Sequence, residues 1–344
     1  MRINHNIAAL NTYRQLGQAN NMRSDSMEKL SSGLRINNAS DDAAGLAISE
    51  KMRGQIRGLE QAQRNSQDGI SLIQTTEGAL NETHSILQRM RELSVQSAND
   101  TNTDTDRQEL QKEVNELAAE ITRIGENTEF NTKNLLDGNF SGTFHIGANE
   151  GQNLTLSVND MRADALKVGQ SYTASTTDDT NGTLTMADGS TATWQAAVAG
   201  NDGTDGIAGT ADDVAGTEAG YYDASSKLVL QADQTLADGQ KGAVGIDISS
   251  QGAADSAVTT INTAIETVSA ERAKLGATQN RLEHTINNLG TSAENLTAAE
   301  SRIRDVDMAK EMMQQTKASI LAQASQAMLA QSNQMPQGVL QLLR

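Results

Sequence analysis

Residues 261–303 read INTAIETVSAERAKLGATQNRLEHTINNLGTSAENLTAAESRI, and they carry the longest apolar pattern of the chain. The apolar residues recur at steps of three, four or seven, so they form one stripe along a helix. The stripe consists of Ile261, Ile265, Val268, Leu275, Leu282, Ile286, Leu289, Leu296 and Ile303. Arg272, Gln279 and Glu300 also fall in it, and polar seam residues lower stability but help to fix the packing register. The pattern predicts a long helix packed against other helices.

Two more long helices are predicted nearer the N-terminus. One carries a stripe at Leu110, Val114, Leu117, Ile121 and Ile124. Its predicted start signal is Asp106 with Glu109 three residues later. The other runs from about Ala43 to Ala98, with a cap inside Ser40-Asp41-Asp42. At ~1.5 Å per residue it would be on the order of 80 Å long, which predicts a rod.

Residues 169–253 have a different composition. They hold twelve acidic residues against Lys227 and Lys241, which is most of the chain's net charge of −17. Strand-like runs replace the helical spacing here, and Ala187-Asp188-Gly189-Ser190 is a hairpin turn signal between two of them. The predicted strands are Thr183–Met186, Thr191–Trp194, Lys227–Leu230 and Ala243–Ile248. A separate β-hairpin is predicted from 143–146 and 154–158, around Asn149-Glu150-Gly151.

Composition argues against several classes of function. The chain has no cysteine, which excludes disulfides and thiolate metal sites. Its net charge of −17 disfavours nucleic acid as a partner. The sequence contains no run of 18 apolar residues, so no membrane-spanning helix is predicted. The N-terminus lacks the apolar core of a signal peptide, which is typical of a cytoplasmic protein or of one exported without cleavage.

No catalytic, cofactor-binding or metal-ligating residues are predicted, so we do not expect an enzyme. The four histidines are scattered at positions 5, 84, 145 and 284, and no His-Glu-x-x-His motif or glycine-rich phosphate loop is present. Asn201–Gly206 with Asp212-Asp213 could indicate a calcium loop. However, the spacing lacks the alternating ligands and closing glutamate of an EF-hand, which favours solvated turns.

At both chain ends apolar residues recur at helical spacing, but few of the residues there are large and apolar. The predicted packing residues are Ile3, Ile7, Leu10, Leu30, Leu34, Ile320, Leu321, Met328, Leu329, Val339, Leu340, Leu342 and Leu343. Neither end should form a stable helix alone, so we expect disorder in the monomer and order on packing. The ends could close one bundle within the chain or pack against neighbouring copies. Apolar residues at the extreme terminus favour the second alternative, since free termini are usually polar.

Several long motifs carry a family resemblance. They are LSSGLRIN at 30–37, DDAAGLAI at 41–48, QTTEGALNE at 74–82, QRMRELSVQSAN at 88–99, ATQNRL at 277–282 and QMPQGVLQLLR at 334–344. In this order they look like the signatures of bacterial flagellin, and the resemblance covers about 1–168 and 254–344. The middle resembles no family that we can name, and flagellin middles are the variable part.

The resemblance implies a mainly α fold: a long antiparallel helical coiled-coil rod from both chain ends, with a β-hairpin and a small β-rich outer domain. The predicted domains are 1–42 with 304–344 as a terminal coiled-coil segment, 43–168 with 254–303 as the helical rod domain with its hairpin, and 169–253 as the variable outer domain. In flagellins the paired ends line the core of a hollow filament.

The resemblance also implies function and partners. The expected role is a subunit that polymerises with copies of itself into the extracellular flagellar filament for motility. Type III export without a cleaved signal peptide, a filament cap protein, a hook–filament junction protein and an export chaperone that binds the C-terminal segment are expected from the family. Some flagellins also carry O-linked sugars on the middle domain, whereas plain polar loops are the alternative here.

Arg89, Leu93 and Glu113 match the region of flagellins that resembles the site recognised by Toll-like receptor 5. Arg89 and Leu93 are four residues apart, so we expect them to share a helix face. The alternative is an Arg89–Glu113 ion pair that stabilises the rod or a subunit contact. Two other functions stay open at this stage: the related hook–filament junction protein, and a monomeric adhesin whose outer domain binds a ligand.

Overall fold

The structure is a computed structural model that describes residues 6–178, 181–197, 219–224, 226, 228–232 and 234–342. Its helices are α1 (Ile7–Ser32), α2 (Ala43–Ser97), α3 (Asp104–Asn127), α4 (Gln251–Arg304) and α5 (Met308–Leu342). The three predicted long helices are confirmed as α2, α3 and α4. The mainly α fold class with a smaller β-rich region is confirmed as well.

Ten strands form three antiparallel sheets in the described part of the chain. They are β1 (Glu129–Phe130), β2 (Lys133–Asn134), β3 (Ser141–His145), β4 (Asn153–Ser157), β5 (Gly169–Asp178), β6 (Asn181–Met186), β7 (Thr191–Gln195), β8 (Gly220–Tyr222), β9 (Leu228–Gln231) and β10 (Lys241–Gly245). Strands β3 and β4 are the predicted hairpin, with Thr143 opposite Thr155. Strands β5 to β10 form one six-stranded sheet in the order β10-β5-β6-β7-β8-β9.

The six-stranded sheet contains the strands predicted for the middle of the chain. Strands β6 and β7 join through the predicted turn, where Gly189 has φ of +84°, a conformation that favours glycine. Strands β5 and β8 were not predicted. Strand β5 alternates small polar residues with the buried Tyr172 and Ala174, a weak apolar signal. The possible calcium loop at 201–213 lies outside the described residues.

The described chain divides into two compact units. We call residues Arg64–Ile146 with Asn153–Ile286 the central unit. The terminal unit comprises the chain up to Gln63, Gly147–Gln152 and the chain from Asn287 onward. The boundary falls inside α2 and α4, whereas the predicted segment ends at 42 and 304 coincide with ends of those helices. The three-domain division stays a prediction.

The core of the central unit contains large aliphatic side chains from three helices. Leu80, Leu87 and Leu93 of α2, Val114 and Ile121 of α3, and Ile261, Val268, Leu275 and Leu282 of α4 are all fully buried. The predicted stripe of α3, and the stripe of α4 as far as Leu282, therefore face this core. Arg272, a polar member of the α4 stripe, reaches Glu77 of α2 at 3.7 Å, so its charge is paired rather than buried alone.

The first turn of α3 begins with a capping box. The Thr103 hydroxyl accepts from the backbone N–H of Asp106, while the Asp106 carboxylate accepts from the Thr103 N–H at 2.9 Å. The start signal predicted at Asp106 and Glu109 was therefore wrong by one turn, because Asp106 is the third residue of the box rather than its cap. The cap predicted for α2 is confirmed, since Asp42 accepts from Gly45 N–H at 2.9 Å.

Two connectors of the terminal unit run side by side. The segment between α1 and α2 meets the short segment between α4 and α5 in an antiparallel bridge. Arg35 N–H donates to the Arg304 carbonyl at 2.7 Å, and Val306 N–H donates to the Gly33 carbonyl at 3.1 Å. The Arg304 guanidinium also donates to Glu50 at 3.0 Å. The chain segments that leave α1 and enter α5 are therefore hydrogen-bonded to each other.

Candidate assembly surface

Helices α1 and α5 pack against each other, and we call them the terminal pair. Asn6 Nδ2 donates to the Ser332 carbonyl at 2.7 Å near one end, and Gln315 Nε2 lies 3.8 Å from the Met27 sulfur near the other. The N-terminal end of α1 thus lies beside the C-terminal part of α5, so the two helices are antiparallel. The intrachain packing considered as an alternative is therefore present.

The seam of the terminal pair is built from small side chains. Ala19 and Ser26 of α1 are 2% and 5% exposed, and Ala318 and Ala322 of α5 are 3% and 6% exposed. Ser332 continues the seam and is also buried. Small residues let two helices approach closely, but each removes little apolar area from water. Contact within one chain therefore stabilises the pair only modestly.

The large apolar side chains of the terminal pair point to solvent. On α1, Ile7 is 74% exposed and Leu10 is 62% exposed. Leu10 lies nine residues before Ala19, which at about 100° per residue places it on the opposite side of the helix. The exposed large apolar residues of the pair are Ile7, Leu10, Tyr13, Met22, Met27, Met308, Met312, Met313, Ile320, Leu321 and Met328.

On α5 these side chains form a continuous stripe. A shallow groove along it is lined by Ala309, Met312, Met313, Thr316, Lys317, Ile320 and Leu321. The spacing of three and one recurs along these residues, so all of them lie on one face of one helix. Ile320 lies two residues from both Ala318 and Ala322, and is thus turned about 160° away from the seam. An outward apolar stripe of this kind fits a partner helix.

The predicted packing residues fall into three groups. Ile7, Leu10, Ile320, Leu321 and Met328 are exposed. Leu30, Leu34 and Leu329 are half-buried. Ile3, Val339, Leu340, Leu342 and Leu343 lie outside the residues whose side chains the structure describes. Tyr13, Met22, Met308, Met312 and Met313 were not predicted, because mainly leucine and isoleucine were counted. A search for methionine at helical spacing would have found four of them.

The predicted receptor residues lie in the central unit. Arg89 Nε donates to Glu113 Oε1 at 2.8 Å, and its Nη1 lies 3.3 Å from Glu92 Oε2. These hydrogen bonds raise the pKa of the Arg89 guanidinium, and the one that Arg89 donates to Glu113 has the larger effect. All three side chains are substantially exposed. The surface therefore presents a charged cluster that joins α2 to α3.

Leu93 does not share that surface. It is fully buried in the core of the central unit. Residues four apart on a helix differ in direction by about 40°, and this difference turns Leu93 inward while Arg89 stays outside. Arg89 and Leu93 therefore do not lie together on the exposed surface, and Leu93 can influence a partner only by holding α2 in place.

The described residues offer neither a membrane span nor a metal site. No described helix has the apolar length that a bilayer crossing requires. Within the same part of the chain, no three histidine or acidic side chains converge on a point that could hold a metal ion.

Known proteins match the chain at both ends and over its length. The model of the bacterial flagellin N-terminal helical region matches residues 3–141, and that of the bacterial flagellin C-terminal helical region matches residues 258–343. A flagellin of Bacillus subtilis (strain 168) is 52% identical, with both chains fully covered. The chain belongs to the bacterial flagellin family. A flagellin of Clostridium tyrobutyricum is 49% identical over 98% of this chain and 100% of that one.

A crystal structure of Bacillus cereus flagellin is 24% identical, with a TM-score of 0.39 over 69% of this chain and 94% of that one. As a member of its family, this flagellin is a structural subunit of the flagellar filament, which lies outside the cell. Flagellins are structural proteins, and the prediction that the chain is not an enzyme is confirmed on that ground.

Proposed function

We propose that this flagellin polymerises through its terminal pair and that the resulting filament serves swimming. The observation that carries the proposal is the burial pattern of α1 and α5. The side chains buried between them are small ones such as Ala19 and Ala318, while Leu10, Met313 and Ile320 face solvent. An exposed apolar stripe of this length typically marks an interaction site. Copies of the same chain are the partner that a filament subunit meets at every step of growth.

The energetics fit assembly better than a stable monomer. Full burial of one leucine, isoleucine or methionine side chain contributes about 1.5–3 kcal/mol before the cost of ordering is subtracted. Ordering each residue costs roughly 1–2 kcal/mol of backbone entropy, which the alanine and serine seam offsets poorly by itself. We therefore infer that the terminal pair orders fully when neighbouring subunits cover its outward side chains.

The test uses the full chain with Leu10→Gln and Ile320→Gln together. We expect soluble monomer with unchanged circular dichroism of the central unit. We also expect the critical monomer concentration for polymerisation, which we call the filament threshold, to rise at least about tenfold, since a tenfold change corresponds to only 1.4 kcal/mol. The matched control carries Thr185→Gln and Thr191→Gln, two exposed positions of the β-rich sheet. Normal filaments from the first variant, seen by electron microscopy and sedimentation, would contradict the proposal.

Deletion of 1–40 or 304–344 should abolish polymerisation.

A second proposed function is recognition of the monomer by Toll-like receptor 5 through the charged cluster of Arg89, Glu92 and Glu113. It is supported by the exposure of these side chains and by the ion pair that holds Arg89 in a fixed position between two helices. A fixed guanidinium loses less entropy when it binds a partner.

Receptor recognition is tested by a cell reporter assay with Arg89→Ala. The control is Arg91→Ala, an exposed arginine that lies two residues further along α2. A reduced response for Arg89→Ala alone would support the proposal. An unchanged response to Arg89→Ala, with the monomer still folded, would refute it.

Export and assembly partners complete the proposal. The outward stripe of α5 would be covered by an export chaperone before secretion, and a cap protein and a junction protein would meet the same ends at the two limits of the filament. Export is proposed to remove no signal peptide. N-terminal sequencing of subunits from sheared filaments tests this last point, since a start within the apolar-poor segment Arg2–Ile7 supports uncleaved export and a start well beyond it refutes it.

A further inference from the structure

The methionines of this chain are distributed unevenly between surface and core. Among the described side chains, those that are exposed all lie in the terminal pair: Met22, Met27, Met308, Met312, Met313 and Met328. In the central unit, Met90, Met161 and Met186 are buried. The surface that is proposed to bind neighbouring subunits is therefore also the surface that carries the accessible thioethers.

A thioether on this surface has two chemical states with opposite packing properties. As a sulfide it is apolar and adaptable, and it suits an interface between irregular helical surfaces. As a sulfoxide it is polar and carries a strong acceptor oxygen. Burial of that oxygen against an apolar stripe without a donor is unfavourable. Oxidation thus converts the stripe of α5 from a surface that favours burial to one that favours water.

We propose that these six methionines are an oxidative modification site that blocks assembly. The inference rests on the proposed role of the terminal pair in polymerisation. The co-reactant is a two-electron oxidant of the peroxide class. The sulfur lone pair attacks one oxygen of hydrogen peroxide, an S–O bond forms and the O–O bond breaks. The departing hydroxide takes the proton of the oxygen now bound to sulfur, which leaves the sulfoxide and water. Sulfur is oxidised by two electrons and the peroxide is reduced by two.

Two features of the chain make the modification selective. There is no cysteine to consume the oxidant first, so methionine sulfur is the most readily oxidised group. Accessibility then separates the methionines: Met313 is 67% exposed, whereas Met90 is fully buried. Sulfoxide should therefore accumulate in α1 and α5 while the central unit stays reduced and folded. Subunits already inside a filament should be protected, because neighbours cover the same sulfurs.

The experiment treats purified full-length monomer with hydrogen peroxide and maps sulfoxide at each methionine by peptide mass spectrometry. We expect the six exposed positions to oxidise first and the filament threshold to rise at least about tenfold, since each buried sulfoxide leaves an unpaired acceptor. The six-leucine variant carries Met22→Leu, Met27→Leu, Met308→Leu, Met312→Leu, Met313→Leu and Met328→Leu. It keeps the apolar volume and has no oxidisable sulfur at these positions. It should assemble equally well with and without peroxide.

A third arm restores the sulfide. Oxidised wild-type monomer is incubated with methionine sulfoxide reductases and dithiothreitol, and recovery of assembly supports the proposal even if the six-leucine variant fails to fold. Normal assembly of wild-type chain with sulfoxide at all six positions would overturn it, as would equal loss of assembly in the six-leucine variant. Failure of untreated wild-type chain to form filaments would instead count against the assembly role itself.

Discussion

The central unit and the terminal pair are both helical, yet they bury opposite kinds of side chain. In the central unit, α2, α3 and α4 turn their leucines, isoleucines and valines inward, and Leu80, Leu87 and Leu275 are fully buried. In the terminal pair, α1 and α5 turn alanine and serine inward and leave residues such as Leu10 and Ile320 exposed. Both regions therefore show helical periodicity, but large apolar side chains lie on the buried face in the central unit and on the exposed face in the terminal pair.

This difference separates folding from assembly along one chain. Large side chains stabilise the structure that buries them, so those of the central unit stabilise the subunit itself. Those of the terminal pair contribute only when another molecule covers them. A substitution should accordingly affect subunit stability in one region and polymer stability in the other, and experiments on both regions can test this division.

The largest expected effect compares two leucine truncations. Leu87→Ala empties a fully buried site of the central unit and should lower the free energy of unfolding by about 2–5 kcal/mol. Leu10→Ala removes the same atoms from an exposed site and should change monomer stability by no more than about 0.5 kcal/mol. Urea unfolding of the full-length monomer measures both. Comparable destabilisation by the two substitutions would erase the division.

A smaller effect is expected from enlarging the seam of the terminal pair. Ala318→Leu inserts a bulky side chain where α1 and α5 approach closely, and overpacking of this kind typically costs about 1–3 kcal/mol. The filament threshold, measured by sedimentation, should rise severalfold. Ala196→Leu, at an exposed position after β7, is the matched control and should assemble normally. Wild-type assembly by Ala318→Leu would show that the small residues are not needed for close approach.

The smallest effect concerns the capping box of α3. Hydrogen bonds from the Thr103 hydroxyl and backbone lower the pKa of Asp106 below its ordinary 3.8. Because the pKa is lower in the folded state than in the unfolded state, ionised Asp106 stabilises the monomer fully at any pH above the unfolded-state pKa. This contribution is lost as the pH falls through the folded-state pKa. Asp106→Ala should therefore lower the melting temperature slightly at pH 7 and progressively less in acid, with the exposed Asp100→Ala as control. A pH-independent difference would assign the effect to helix propensity.

Periodicity predicted the helices well because large apolar residues in them report a buried face directly. The stripes of α3 and α4 identified their core-facing residues, as Val114 and Val268 illustrate. Strand β8 was missed because it has three residues and carries no alternating pattern, although all three are buried. Strand β5 was missed because its serines and threonines resemble a loop in composition.

The proposed assembly surface was predictable in location but not in orientation. Apolar spacing at both ends marked residues that are expected to pack against a partner, yet spacing alone does not say whether the partner is in the same chain. The answer depends on Ala19, Ser26, Ala318 and Ala322, small residues that composition treats as neutral and that the structure places between α1 and α5. Leu93 shows the converse, since its four-residue spacing from Arg89 did not distinguish the surface from the core.

The paired connectors beside α1 and α5 have a mechanical consequence. Because Gly33 and Arg35 are hydrogen-bonded to Val306 and Arg304, a pull applied to either terminal helix loads both chain segments at once. Tension or torsion would have to shear these backbone bonds together rather than peel one strand away. The Arg304–Glu50 contact passes part of that load to the first turns of α2. A force on the terminal helices of a filament subunit would therefore be carried by two hydrogen-bonded chain segments rather than by one.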